Sequence, residues 1–120
     1  MKGRFTMAPL RLRVLRACEK TIVTARGDID LSTAPLFETC LSEELDRGGL
    51  NVIVNLSHTD YLDSSGLAVL LRAHKRLTEK HGRLSVVGCR PCVLRVFQIV
   101  GFQYLFPIEE LRARRQQMAA

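Results

Sequence analysis

Between residues 51 and 80 the hydrophobic period changes, and that change leaves few folds open. Asn51 to Leu56 (Asn-Val-Ile-Val-Asn-Leu) is a short, β-branched apolar run, as expected of a strand buried on both faces. From Leu67 the apolar positions Leu67, Leu70, Leu71 and Leu77 recur at helical spacing, with Arg72, Lys75, Arg76, Glu79 and Lys80 on the other side. An amphipathic helix therefore begins near Ser64. At the junction stands Leu62-Asp63-Ser64-Ser65-Gly66-Leu67, in which Asp63 and Ser64 are both suited to cap the free N–H groups of the first turn. Gly82, just past His81, reads as the stop signal.

The rest of the chain alternates in the same way. Leu10 to Arg16 has the alternation of a strand with one wet face, Glu19-Lys20 is the expected hairpin turn, and Thr21 to Arg26 is the expected second strand, antiparallel to the first. After a loop at Gly27 to Ser32, Ser32 or Thr33 caps a helix with Pro35 in its first turn and Leu36, Phe37, Cys40, Leu41 and Leu45 as its buried stripe. Gly48-Gly49 ends it. A strand at Arg83 to Val87 is followed by a helix from Pro91 to Val100, with Val93, Leu94, Phe97 and Val100 inward and Gly101 as its end. Tyr104 to Ile108 is expected as an edge strand before a helix starting near Glu109. This order predicts one α/β domain, with a mixed, mostly parallel sheet of four to five strands and about four helices.

Composition excludes several classes. A chain of 120 residues, 47% of them apolar, makes one domain with a real core. Its longest apolar run, Leu67 to Leu71, is too short to span a bilayer or to form a signal-peptide core, so a cytoplasmic protein without a membrane role is expected. Cys18, Cys40, Cys89 and Cys92 are then expected as reduced thiols. The net charge of +6 is concentrated at the ends, where Lys2, Arg4, Arg11, Arg13 and Arg16 precede the first acid, Glu19, and Arg112, Arg114 and Arg115 close the chain. Without interleaved aromatics or a known motif, these cations read as a solvated surface and not as direct nucleic-acid contacts.

In open α/β sheets the functional crevice lies beyond the carboxyl ends of the parallel strands. Gly27 to Ser32, Ser57 to Ser65 and Gly88 to Pro91 all leave strands at that rim, so Asp28, Asp30, Asp63, Ser64 and Ser65 can converge on one patch. Helix capping alone would also select Asp, Ser and Gly at such a junction.

Three ordered segments carry a resemblance. Val52 to Ser57 with Leu62-Asp63-Ser64-Ser65-Gly66-Leu67-Ala68 resembles the phosphorylation segment of STAS domains, specifically of bacterial anti-sigma factor antagonists. Gly27-Asp28-Ile29-Asp30-Leu31-Ser32-Thr33-Ala34-Pro35 resembles the family's acidic loop, with Asp28 in place of the commoner glutamate and Ile29 in place of leucine. Pro91-Cys92-Val93-Leu94-Arg95-Val96-Phe97, followed by Val100-Gly101-Phe102, resembles its Pro-x-Val-x-Arg helix. The resemblance implies a STAS domain over residues 10–115, between an N-terminal arm (1–9) and a tail (116–120). It also implies that Ser64, the hydroxyl directly after the aspartate, is the phosphoacceptor, with Asp28, Asp30, Asp63, Ser65 and Gly66 binding the partner or positioning the acceptor. The implied partners are a serine-kinase anti-sigma factor and a serine phosphatase. No enzymatic activity, cofactor or metal is expected of the chain itself.

Other readings compete with this one. An accessory STAS subunit of a transporter or signalling assembly would use the same fold without a phosphorylation cycle. Cys89-Arg90-Pro91-Cys92 has the spacing of a redox dithiol at a strand-to-helix junction. His58, Asp60 and Ser64 supply the residue types of a hydrolytic triad but lack the glycine pattern of a nucleophile elbow. The cysteines and histidines show no paired spacing for zinc, and no Walker-type loop occurs. His74 is expected to pack at the apolar side of its helix, and His81 to sit at a helix's negative pole. Gly66 is expected to keep the approach to Ser64 open.

Overall fold

A computed structural model describes residues 9–112. The elements run β1 (Arg11–Ala17), β2 (Lys20–Arg26), α1 (Ala34–Asp46), β3 (Asn51–His58), α2 (Ser64–Glu79), β4 (Arg83–Cys89), α3 (Pro91–Val100), a 3-10 turn (Phe102–Tyr104) and β5 (Ile108–Glu110). They build a five-stranded sheet in the order β1-β2-β3-β4-β5, antiparallel between β1 and β2 and parallel elsewhere. The mixed, mostly parallel α/β architecture is as expected, with three α-helices and one 3-10 turn among the described residues. No helix among them is long and apolar enough to cross a membrane. Residues 1–8 of the expected arm (1–9) and everything from residue 113 on, including the expected tail (116–120), lie outside the described residues.

Strand alternation puts Val23 and Ala25, Val52, Val54 and Leu56, and Leu84 and Val86 on one face, where they are buried together with Phe37, Leu41, Leu70, Leu77 and Phe97 of the three helices. The opposite face of the sheet is left half-open, with Ile22, Ile53 and Val87 only partly buried. β3 is thus covered on one side, not on both as its apolar run predicts. Asn51, Asn55 and Ser57, which alternate with the valines, mark the wet side.

Local departures have local causes. The hairpin turn is Cys18-Glu19, one residue earlier than expected, with both residues at positive φ (52° and 65°) as a tight two-residue turn between twisted strands requires. In α1 the inward stripe is Ala34, Phe37, Leu41, Glu44 and Leu45, which rotates Leu36 into solvent. Glu44 is tolerated there because Arg16 of β1 reaches it with two hydrogen bonds of 2.8 and 2.7 Å, and this guanidinium holds its carboxyl below the usual range. Val100, the last residue of α3, is exposed rather than inward. The stretch expected as an edge strand, Tyr104 to Ile108, begins instead in a 3-10 turn (Phe102–Tyr104), which brings Phe102 and Phe106 to one side. Their spacing suits one turn of helix, so both rings reach the core beside Phe97 and His74, and the strand forms later, at Ile108. Glu109 and Glu110, expected to open a helix, are therefore strand residues.

At the end of α2 the left-handed residue is His81 (φ 63°), not Gly82. Gly82 follows it and donates its N–H to Leu77 O at 2.7 Å while His81 donates to Thr78 O, the paired bonds of a Schellman ending. Glycine is required at 82 for space: a Cβ there would lie 2.5 Å from Leu50 O.

Candidate functional site

The rim is built by extending the pairing of β2 and β3 beyond the regular strands. Gly27 donates to His58 O (3.1 Å), Ile29 donates to Tyr61 O (3.0 Å), and Asp63 donates to Ile29 O (3.2 Å), so Ile29 and Leu62 form a parallel bridge. Both side chains of the bridge are buried. The residues that follow them, Asp30 and Asp63, are thereby set side by side at the carboxyl end of the sheet.

Each aspartate then organises the turn after it. Asp63 caps α2: its Oδ1 accepts from the backbone N–H groups of Ser65 (2.9 Å) and Gly66 (3.4 Å) and from the Ser65 hydroxyl. Asp30 Oδ1 accepts from Ser32 N (2.9 Å), Ser32 Oγ (2.7 Å) and Thr33 N (3.1 Å). The Ser32 hydroxyl foremost, then the Thr33 and Ser32 N–H groups, hold the Asp30 carboxyl below its ordinary range. Thr33, the residue before α1, makes no side-chain cap bond of its own; its hydroxyl donates to Asp28 O at 2.9 Å.

This geometry separates the two serines. The Ser65 hydroxyl is tied to Asp63 and half-buried. Ser64, the first helical residue, is exposed, and its hydroxyl has no hydrogen-bond partner among the described residues. Asp28 is exposed on the neighbouring loop, while Asp30 is engaged with its own turn. Gly66 faces inward. A Cβ there would lie 2.8 Å from Ile29 Cγ2 and 3.1 Å from Leu62 Cγ, so the glycine lets α2 sit down on the bridge and does not line the approach to Ser64.

Residues whose part in the site the sequence did not reveal complete it. Arg90, before α3, donates from Nε to Ser57 O (2.8 Å) and places NH1 3.3 Å from Asp60 Oδ1, and Cys92 Sγ lies 3.1 Å from Asp60 O. Together they pin the 57–60 turn that leads to the Asp63-Ser64-Ser65 segment. Leu31 (79% exposed) and Tyr61 (51%) put apolar surface on the same two loops. Leu31 lies inside the acidic-loop pattern, but only the fold reveals that it points outward.

The competing chemistries find no support in this geometry. Cys89 is fully buried, Cys92 is exposed, and all four cysteines are free. Burial pushes the Cys89 thiol up to about 12, the reverse of what a redox thiolate needs. The bulge at Gly88 (φ 72°) turns Cys89 inward, so the two sulfurs of the CxxC segment serve different surroundings. Asp60 is paired with Arg90 and makes no side-chain bond to His58 or Ser64 among the described residues.

Comparison with known proteins agrees with the architecture. The STAS domain model matches residues 10–114. BtrV of Bordetella bronchiseptica, named as an anti-sigma factor antagonist, is 33% identical over 91 residues, 76% of this chain and 78% of its own length. An anti-sigma factor antagonist from Mycobacterium paratuberculosis superposes with a TM-score of 0.79 at 23% identity, over 95% of this chain and 97% of that one. SpoIIAA, a Bacillus cell fate determinant seen in its phosphorylated form, superposes with a TM-score of 0.65 at 19% identity, over 92% and 96%. The chain belongs to the STAS domain family, among its anti-sigma factor antagonists.

Proposed function

We propose that the unphosphorylated chain binds a serine-kinase anti-sigma factor through the Ser64 rim and so frees a sigma factor. Phosphorylation of Ser64 by that kinase then switches it off, and a serine phosphatase resets it. The chain receives this chemistry and does not perform it, and such partners place it in the cytoplasm. Residues 10–115 form the switching domain in this reading, between an arm (1–9) and a tail (116–120).

The observation that carries the reading is the asymmetry at the start of α2, with Ser65 held by Asp63 and Ser64 exposed and without a partner among the described residues. BtrV, which is named an anti-sigma factor antagonist, supports the partner class, and the phosphorylated form of SpoIIAA supports a phosphate-carrying role for this fold. A phosphate on Ser64 would sit at a helix N-terminus, where backbone N–H groups and the helix dipole favour negative charge. The helix should therefore survive modification. The phosphate brings roughly −1.5 to −2 charges to a rim that already holds Asp28, Asp30 and Asp63 and displays the apolar Leu31 and Tyr61. A partner covering that rim must desolvate the new charge, and a hundredfold loss of affinity requires only about 2.7 kcal/mol.

The test is the affinity of the anti-sigma factor for the wild-type chain, its phosphorylated form and Ser64→Asp. The modified forms should bind about a hundredfold more weakly with unchanged helical circular dichroism. Equal affinity for all three would refute the switch.

A further inference from the structure

The face of the sheet turned away from the helices has its own organisation. Strand register places Leu15 opposite Ile22, Ile22 beside Ile53, and Ile53 beside Ser85; the next row is Arg13, Thr24, Asn55 and Val87. Leu15 is 58% exposed, and Ile22, Ile53 and Val87 are half-buried, so the middle of this face is apolar. Exposed cations stand at both of its ends, while the edge toward β5 carries Glu109. Arg11 and Arg26 pair across β1 and β2 at one end with Arg13 beside them, and Lys20 and Arg83 stand at the other end. None of these five cations has a carboxylate within salt-bridge distance among the described residues. From β1 to β4 the outward positions hold no acid.

Charge selects what can cover such a face. A second copy would set five cations against five. The chain's own ends are equally unsuited, because residues 1–8 contain Lys2 and Arg4, residues 113–120 contain Arg114 and Arg115, and neither segment has an acid. A nucleic-acid strand would find no aromatic platform, and the Leu-Ile-Val centre interrupts any basic track for phosphates. An apolar centre with a charged rim is the anatomy of a protein interface. Four strands spaced by about 4.8 Å and seven residues long give a surface of roughly 14 by 23 Å, which accommodates one helix of about four turns.

We propose that this open face is a second docking surface, which takes an amphipathic helix whose apolar stripe is flanked by Asp and Glu. Its apolar centre lies on the open face, with Arg26 at the carboxyl end of β2, whereas Ser64 opens a helix that packs on the opposite face, so its occupancy does not depend on the state of Ser64.

The experiment titrates the isotopically labelled full-length chain with a synthetic helical peptide of about 16 residues, built from Leu, Ala and Glu with Glu flanking the Leu stripe. Shift changes are expected at Leu15, Ile22, Thr24, Ile53 and Val87 and not in residues 28–33 or 61–66. Binding should weaken about tenfold when roughly 50 mM salt is raised to 500 mM. Arg13→Glu with Arg26→Glu should weaken it at least about tenfold, while Ser64→Asp should bind as wild type does. Leu15→Gln, which leaves the charges in place, should weaken it independently and serves if the double variant loses its native amide spectrum. Shifts that map elsewhere, an affinity unchanged in the variants, or no binding would overturn the proposal. Tighter binding of single-stranded DNA or of phosphatidylglycerol vesicles to the same face would also overturn it.

Discussion

Asp30 and Asp63 solve the same local problem twice, with different outcomes. In both turns one carboxylate oxygen accepts from the N–H and hydroxyl of the serine two residues on and from the N–H of the next residue, and the residue between is left exposed. The Ile29–Leu62 bridge aligns the two turns at one rim. In the first turn the displayed residue is Leu31, and in the second it is Ser64. An Asp-x-Ser cap is therefore a generic mount. What sits at the skipped position decides whether the mount offers an apolar contact or a nucleophilic hydroxyl.

The largest expected effect comes from exchanging what is displayed. Ser64→Leu should reduce phosphate incorporation from kinase and ATP below detection, read by mass spectrometry. Its stability in urea should change by no more than about 0.5 kcal/mol, because the position is exposed. Loss of folding in Ser64→Leu would break the comparison.

Next is the third position after each aspartate, where the turns differ. Gly66→Ala places a methyl against the stiff Ile29 side chain and should cost about 1–3 kcal/mol in urea unfolding, less a few tenths to about 1 regained from helix propensity. Thr33, at the matching place, has room for its side chain and instead bonds Asp28 O. A neutral Gly66→Ala would mean that α2 does not rest on the bridge as described.

The two carboxylates themselves should matter about equally. Asp63→Ala, which removes a helix cap, and Asp30→Ala, which removes the bonds of a turn, are each expected to lower stability by about 1 kcal/mol, and Asp63→Ala should also free the Ser65 hydroxyl. A cost confined to one of the two would show that the turns are not equivalent.

The smallest effect is in the pH dependence of stability. The folded-state pKa of Asp30 is depressed below its unfolded value, so its contribution is fully present above the unfolded pKa and is lost as pH falls through the folded pKa. Asp30→Asn should flatten the acid limb of a stability-against-pH curve over that window, with a small deficit at neutral pH that vanishes as wild type loses the same contribution in acid. An unchanged acid limb would contradict the bonding described for that carboxylate.

Much of the fold was legible because periods and punctuation agree. The valines of β3, the stripe of α2, Pro91 at the start of α3 and Gly101 at its end (φ 80°) each announce one element. What was not legible depended on partners distant in sequence. Leu36 and Val100 look apolar and inward, but the phase of α1 and the end of α3 expose them. Glu44 looks like a surface acid until Arg16, 28 residues earlier, reaches it. The Asp63-Ser64-Ser65 segment could be read as a cap, yet local sequence does not say which serine is bound. The answer needs Asp63 in its extended conformation (φ −107°, ψ −170°), set by pairing with Ile29. Arg90 and Cys92 were likewise hidden, because their role is to hold a turn more than 30 residues away.

The central claim, that the Asp63 cap binds Ser65 and presents Ser64, is tested most directly by site mapping. Wild-type chain, Ser64→Ala and Ser65→Ala are incubated with the serine-kinase anti-sigma factor and ATP, and the phosphorylated peptide is sequenced by fragmentation. Phosphate should appear on Ser64 in the wild type and in Ser65→Ala, and be absent from Ser64→Ala. Phosphate on Ser65 in the wild type, or its persistence in Ser64→Ala, would contradict the account.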